Sequence, residues 1–201
     1  PAETDTIVAE VLQSDDLPEL VGNGTGFAEN DGVKIWYEKL TPKDTTLATI
    51  LLVMGHSSSA IVWSENFTQP LLDAGYQVIR YDNRGVGESD WMVDWDKENP
   101  YTLEDMAKDG MAVLDAVGVA KAHIIGASMG GMIAQRMAIS HSERLLSLTS
   151  IMSSGYMADP DIEPVPKWFL QNFIKLGLRY LTPPSEKGSI KFFFGVFTTL
   201  K

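Results

Sequence analysis

The 201-residue sequence contains no cysteine, which excludes disulfides, thiolate catalysis and cysteine-based metal sites. Histidine is almost as scarce. Only His56, His123 and His141 occur, and no two share a ligand spacing such as His-Glu-x-x-His, so no metal site is expected. Basic residues are also few: 16 Lys and Arg stand against 27 Asp and Glu, a formal net charge of −11. A chain of that charge has little with which to neutralise phosphates, so nucleic acid is not an expected partner. The same charge favours solubility and repels anionic membranes. No apolar run reaches the length of a membrane span. The opening residues, Pro1-Ala2-Glu3-Thr4-Asp5, lack the basic-then-apolar layout of a signal peptide, which leaves the cytoplasm as the default expectation. They also lack an initiator Met, so the chain is expected to be processed or to begin within a longer one.

What the sequence does have is 44% hydrophobic residues, enough for one domain with a sizeable core. Residues 1–26 are rich in acids, Gly and Pro and read as an extension over the domain, with a short helix near 7–12. Asp31-Gly32 between the β-prone runs 27–30 and 33–39 is a hairpin signal. Further strands are expected at 49–54, 76–81, 122–125 and 145–152. Their continuous apolar character suits strands covered on both faces, as in a parallel sheet. Helices are expected between them at 64–74, 102–117 and 132–139. The middle one carries a stripe through Leu103, Met106, Ala107, Val113, Leu114 and Val117, with Thr102 and Asp105 forming a weak variant of a capping box. Strands alternating with helices imply βαβ units and a doubly wound, mostly parallel sheet over residues 27–154. Residues 155–201 change character. Prolines break the segment, Phe169, Phe173, Leu176 and Tyr180 form a helical stripe, and Phe192-Phe193-Phe194 and Phe197 follow. This segment reads as the start of a helical layer that either packs on the main domain or caps a substrate pocket.

Gly126-Ala127-Ser128-Met129-Gly130 is a G-x-S-x-G pentapeptide between an expected strand and an expected helix, the setting of a nucleophile elbow. A serine on so sharp a turn needs neighbours without side chains two residues to either side, which Gly126 and Gly130 provide. The helix N-terminus behind it favours developing negative charge. A serine hydroxyl also needs a base and oxyanion donors. The expected donors are the backbone N–H groups of Met129 and of His56, the latter in the loop Gly55-His56-Ser57-Ser58-Ser59. A competing reading makes the His56 side chain itself catalytic.

The Val53-Met54-Gly55-His56 loop, Tyr81-Asp82-Asn83-Arg84-Gly85-Val86-Gly87-Glu88-Ser89 and the pentapeptide follow one another within residues 27–155, and together, in that order, they resemble the α/β-hydrolase superfamily. The likeness is strongest to its cofactor-free haloperoxidase-like esterases, including the aclacinomycin methylesterase type. The commoner family loop reads His-Gly. Here Met54 holds the His position, as in the methylesterase-like branch. The resemblance implies that no cofactor is needed and that Asp82 and Arg84 are structural, holding a loop near the pocket by pairing and backbone bonds. It also implies a triad in the order Ser, Asp or Glu, then His. After Ser128 the sequence holds only His141, at the far end of the helix opened by the elbow, while His123 falls at the opposite edge of the sheet. Asp159, Asp161 and Glu163 come too early for the family acid. The last strands, with the acid and the His, are therefore expected on a complementary C-terminal fragment or chain that stays bound, because an open apolar sheet edge is an aggregation hazard.

The expected function is hydrolysis of a small hydrophobic ester through an acyl-enzyme on Ser128. Amide, lactone or C–C bond hydrolysis, or perhydrolysis, on the same site is an alternative, as is a non-catalytic small-molecule-binding relative. A dehalogenase would need Asp at position 128.

Overall fold

The computed structural model describes residues 24–93, 98, 100–155 and 166–180; side chains at 169, 170, 177 and 180 are not described. The expected N-terminal helix, the acids at 159–163 and the aromatic run at 192–197 lie outside the described residues. The chain divides into two compact units, one spanning Leu20–Met157 and the other gathering Pro1–Glu19 with Ala158–Lys201.

The larger unit is built on a six-stranded sheet in the order β1-β2-β4-β3-β5-β6. The strands are β1 (Thr25–Asn30), β2 (Val33–Leu40), β3 (Ala48–Val53), β4 (Tyr76–Tyr81), β5 (Ala122–Ala127) and β6 (Leu145–Ile151). β1 and β2 form the expected antiparallel hairpin, with Asp31 at φ 50° and Gly32 at φ 78° in its turn. The hairpin starts two residues earlier than the β-prone run, because Thr25 and Gly26 pair with Glu38 and Tyr37. β2 then runs antiparallel to β4, whereas β4, β3, β5 and β6 are mutually parallel.

Alternation along β3 sorts the core into two layers. Leu51 and Val53 face a cluster with α2 (Leu103–Ala116) and α3 (Met129–Ser140), including Val113, Leu114, Ile133 and Met137. Ile50 and Leu52 face the opposite cluster, which holds Trp63 with Leu71 and Leu72 of α1 (Glu65–Asp73). Helices therefore cover both faces of a mostly parallel sheet, the doubly wound arrangement expected from the sequence. Each such fully buried Leu or Ile contributes about 1.5–3 kcal/mol by leaving water.

Two local details differ from expectation. The cap of α2 is a complete reciprocal box: Asp105 N donates to Thr102 Oγ1, and Thr102 N donates to Asp105 Oδ2 at 2.9 Å. Those bonds from Thr102 hold the Asp105 carboxyl below its usual range. The folded carboxyl being the stronger acid, this contribution is present above the unfolded pKa and is lost as pH falls through the folded one. Thr102→Ala should lower stability by about 1 kcal/mol, read from urea unfolding at pH 7. The second concerns β6, an apolar run expected to be covered on both faces. It pairs only with β5 among the described strands, the open edge expected of a sheet lacking its last strands, but Leu146 and Leu148 are exposed. The smaller unit contributes the amphipathic helix α4 (Lys167–Tyr180), where the stripe of Phe173 and Leu176 predicts one.

Candidate active site

Parallel pairing aligns the carboxyl ends of three strands. Val53 of β3 lies opposite Gly126 of β5, and Ala127 of β5 lies opposite Ile151 of β6. Loops leaving these ends converge, and in open α/β sheets ligands bind at such carboxyl ends. Ser128 stands there, between the last residue of β5 and the first of α3.

Its backbone is strained. Ser128 adopts φ 54° and ψ −124°, a conformation outside the usual range for any L residue. The chain holds it there from both sides: Ser128 N donates to Ile151 O at 2.8 Å, and Gly131 N donates back to Ser128 O at 2.9 Å. The two expected glycines are required by space. A Cβ on Gly126 would run into the Gly130 carbonyl and the Gly131 Cα, and one on Gly130 would run into the carbonyls of Val53 and Met54. The hydroxyl-bearing residue is exposed while the glycines around it are buried.

Met129 occupies the first helical position of α3, where the N–H has no acceptor one turn earlier and adds to the positive end of the helix. The loop after β3 comes equally near. A Cβ on Gly55 would lie 3.0 Å from Ser128 Cβ and 3.5 Å from its Oγ. His56 follows Gly55 in that loop and is exposed, and Ser57 after it adopts φ 53°. The structure thus brings Ser128, Met129 and the Gly55-His56 loop together. It separates the other histidines from them. His123 is the second residue of β5, at the opposite end of the strand, bonded to Ser147 Oγ at 2.8 Å, and His141 caps the far end of α3.

The Asp82–Ser89 loop supports this corner. Buried Asp82 accepts from Ala60 N at 2.6 Å and Glu88 N at 2.9 Å, and its own carbonyl accepts from Ser89 Oγ. It thereby ties the loop after β3 to the loop after β4. Arg84 forms a two-pronged pair with Asp109 of α2, at 2.7 Å from Nε and 2.6 Å from Nη2, and Asn30 also donates to Asp109. Hydrogen bonding to Asp109 raises the Arg84 pKa, so the guanidinium stays charged. The structural roles expected of Asp82 and Arg84 are met by these bonds. Asn83, to which the sequence reading gave no role of its own, donates to Met54 O at 2.9 Å and so fixes the loop that precedes His56. Its signal was available, since a polar residue inside a tightly conformed Gly-rich stretch needs a partner. Asp109 was hidden on the core stripe of α2.

A cleft of about 530 Å³ opens beside His56, lined also by Gly85, Trp91, Met92, Val93 and Tyr101. Another of about 550 Å³, between Asp115, Gly118 and Arg144, lies by the amino ends of β5 and β6, away from Ser128. Among the described residues no group of His, Asp and Glu could hold a metal ion, and no helix is long and apolar enough to cross a membrane.

The family model for the alpha/beta hydrolase fold matches residues 48–187. Rhodomycin D methylesterase of Streptomyces peucetius is 38% identical over 142 residues, which cover 69% of this chain and 45% of that protein. The 2-hydroxy-6-oxo-6-phenylhexa-2,4-dienoate hydrolase of Comamonas testosteroni is 31% identical over 139 residues, 68% of this chain and 46% of that protein. The solved structure of an N-acyl homoserine lactone degrading enzyme superposes with a TM-score of 0.56 at 28% identity, covering 76% of this chain and 54% of that one. The chain thus spans about half the length of the curated relatives it matches. A matched family model across most of the chain, the strand order and the Ser128 turn agree: this chain belongs to the α/β-hydrolase family.

Proposed function

We propose that the chain carries the nucleophilic half of a serine esterase. The observation that carries this reading is the strained, exposed Ser128 at the carboxyl end of β5, at the start of a helix and directly under the Gly55 loop. Ser128 Oγ attacks the ester carbonyl carbon, and the alcohol leaves to give an acyl-enzyme that water then hydrolyses. The N–H groups of Met129 and His56 stabilise the oxyanion, and the His56 imidazole takes no part in the chemistry. The His that carries the proton and the acid that orients it are supplied by a C-terminal segment beyond Lys201, in keeping with a chain that covers 45% of the methylesterase it resembles. No cofactor enters, and the substrate is a small hydrophobic ester. A lactone is the second reading, favoured by the likeness to the lactone-degrading enzyme.

A fluorophosphonate probe tests the reading, since it labels a serine activated by a working base. In the protein complete with its C-terminal segment, peptide mass spectrometry should find the label on Ser128. An unlabelled Ser128 in a folded sample that still hydrolyses chromogenic esters overturns the assignment.

A further inference from the structure

The loop that carries His56 is tied down at both ends by two adjacent residues. At one end Ala60 N donates to Asp82 Oδ1 at 2.6 Å, and at the other Asn83 Nδ2 donates to Met54 O at 2.9 Å. Asp82 also accepts from Glu88 N, so it serves the fold of its own loop as well. The Asn83 side chain is different. The residue is 1% exposed, and its Oδ1 is buried with no partner in the protein. One half of the amide is matched and the other is orphaned, and an orphaned buried acceptor offsets most of what a single hydrogen bond contributes to stability. Net stability is therefore a poor account of an amide at this position.

The matched half acts on the part of the loop nearest the nucleophile. A Cβ on Gly130 would lie 2.7 Å from Met54 O, so that carbonyl rests against the first turn of α3, and a Cβ on Gly55 would lie 3.0 Å from Ser128 Cβ. The Met54 carbonyl and the Gly55 N–H share one planar peptide, so a hydrogen bond to that oxygen sets the plane from which Gly55 leaves. Gly55 has no side chain to narrow its own torsions. The direction of the next N–H, that of His56, thus depends on how firmly the Met54–Gly55 peptide is held.

We propose that Asn83 is a positioning residue for the oxyanion site: through Met54 O it aims the His56 N–H at the place where negative charge develops over Ser128. The inference rests on the esterase reading of Ser128. A donor must stand about 2.7–3.1 Å from the developing oxyanion to stabilise it. A tilt of the Met54–Gly55 peptide carries the His56 N–H out of that range. The transition state loses by this far more than the bound ester does, so the loss falls on kcat and not on KM.

The test uses the protein complete with its C-terminal segment. The variants are Asn83→Leu, which keeps the branched shape without the donor, and Asn83→Ala, which avoids crowding. The substrate is p-nitrophenyl butyrate. The probe is butylboronic acid, whose tetrahedral adduct with a serine places an oxygen where the oxyanion forms. In both variants kcat should fall about tenfold to a hundredfold with KM within about threefold, and the boronate Ki should rise by the factor by which kcat/KM falls. Both should remain folded, because the orphaned oxygen leaves with the amide. An active parent whose folded Asn83 variants keep full kcat overturns the positioning role and leaves the esterase reading standing. So does a lowered kcat with the boronate Ki of the parent, since Asn83 would then act on packing alone. If neither variant folds, Asn83 is a structural residue and the positioning role falls. A parent that hydrolyses no ester and binds no boronate overturns both readings at once.

Discussion

Ser128→Ala should reduce ester turnover by about three to six orders of magnitude, the loss seen when a catalytic serine is removed from a triad that works as a unit. The fold should not change. The strain at position 128 belongs to the backbone, and alanine meets the same φ of 54° with no larger side chain, so the Tm should stay close to the original. His56→Ala gives the contrast. Its proposed contribution is a main-chain N–H, which alanine retains, so kcat should fall by less than tenfold, against the thousandfold or more expected if the imidazole were the base. Steady-state kinetics on a chromogenic ester with both variants separates these outcomes. Turnover that survives Ser128→Ala would remove the nucleophile from the scheme, whatever His56 does.

The second large effect concerns stability. Asp109 is 0% exposed and Arg84 is 6% exposed, and the two are joined by a pair of short hydrogen bonds. Asp109→Ala leaves a buried guanidinium unpaired and takes an acceptor from Asn30, and should cost about 3–5 kcal/mol in urea unfolding. The double variant Arg84→Met with Asp109→Leu should recover most of that loss, because the large penalty comes from the orphaned charge and not from the pair itself. Only the double variant removes the cation beside the Tyr101 ring, so that ring should loosen there even where stability returns. A single variant as stable as the parent would mean that Arg84 reaches water when released.

These residues also show what the sequence could and could not convey. The glycines at 126 and 130 were legible because two residues on either side of a nucleophile is a local, steric requirement. The Asp31-Gly32 hairpin and the Thr102 cap are equally local, written within a few neighbouring residues. Asp109 was not legible: it occupies a helix whose apolar stripe announces burial, but its partners Arg84 and Asn30 lie 25 and 79 residues away. The placement of β4 between β2 and β3 is long-range in the same way, since nothing inside 76–81 records which strands it will pair with. β6 misled for a related reason. Its composition is that of a parallel strand covered on both faces, and composition alone does not say whether a helix lies over Leu146 and Leu148. Trp91 and Tyr101, which line the cleft beside His56, were missed because the sequence around them has no periodicity to draw attention to them.

The left-handed turn at Ser128 has an evolutionary side. Glycine enters φ 54° without the steric cost a serine bears, so Ser128→Gly is a substitution that thermal selection by itself would welcome. A lineage kept only for a sturdy fold would drift toward glycine there and fall silent as an enzyme. A serine standing where the backbone resists it sets selection on reactivity against selection on robustness. Among descendants that lose the reaction, position 128 is where that loss should be written first.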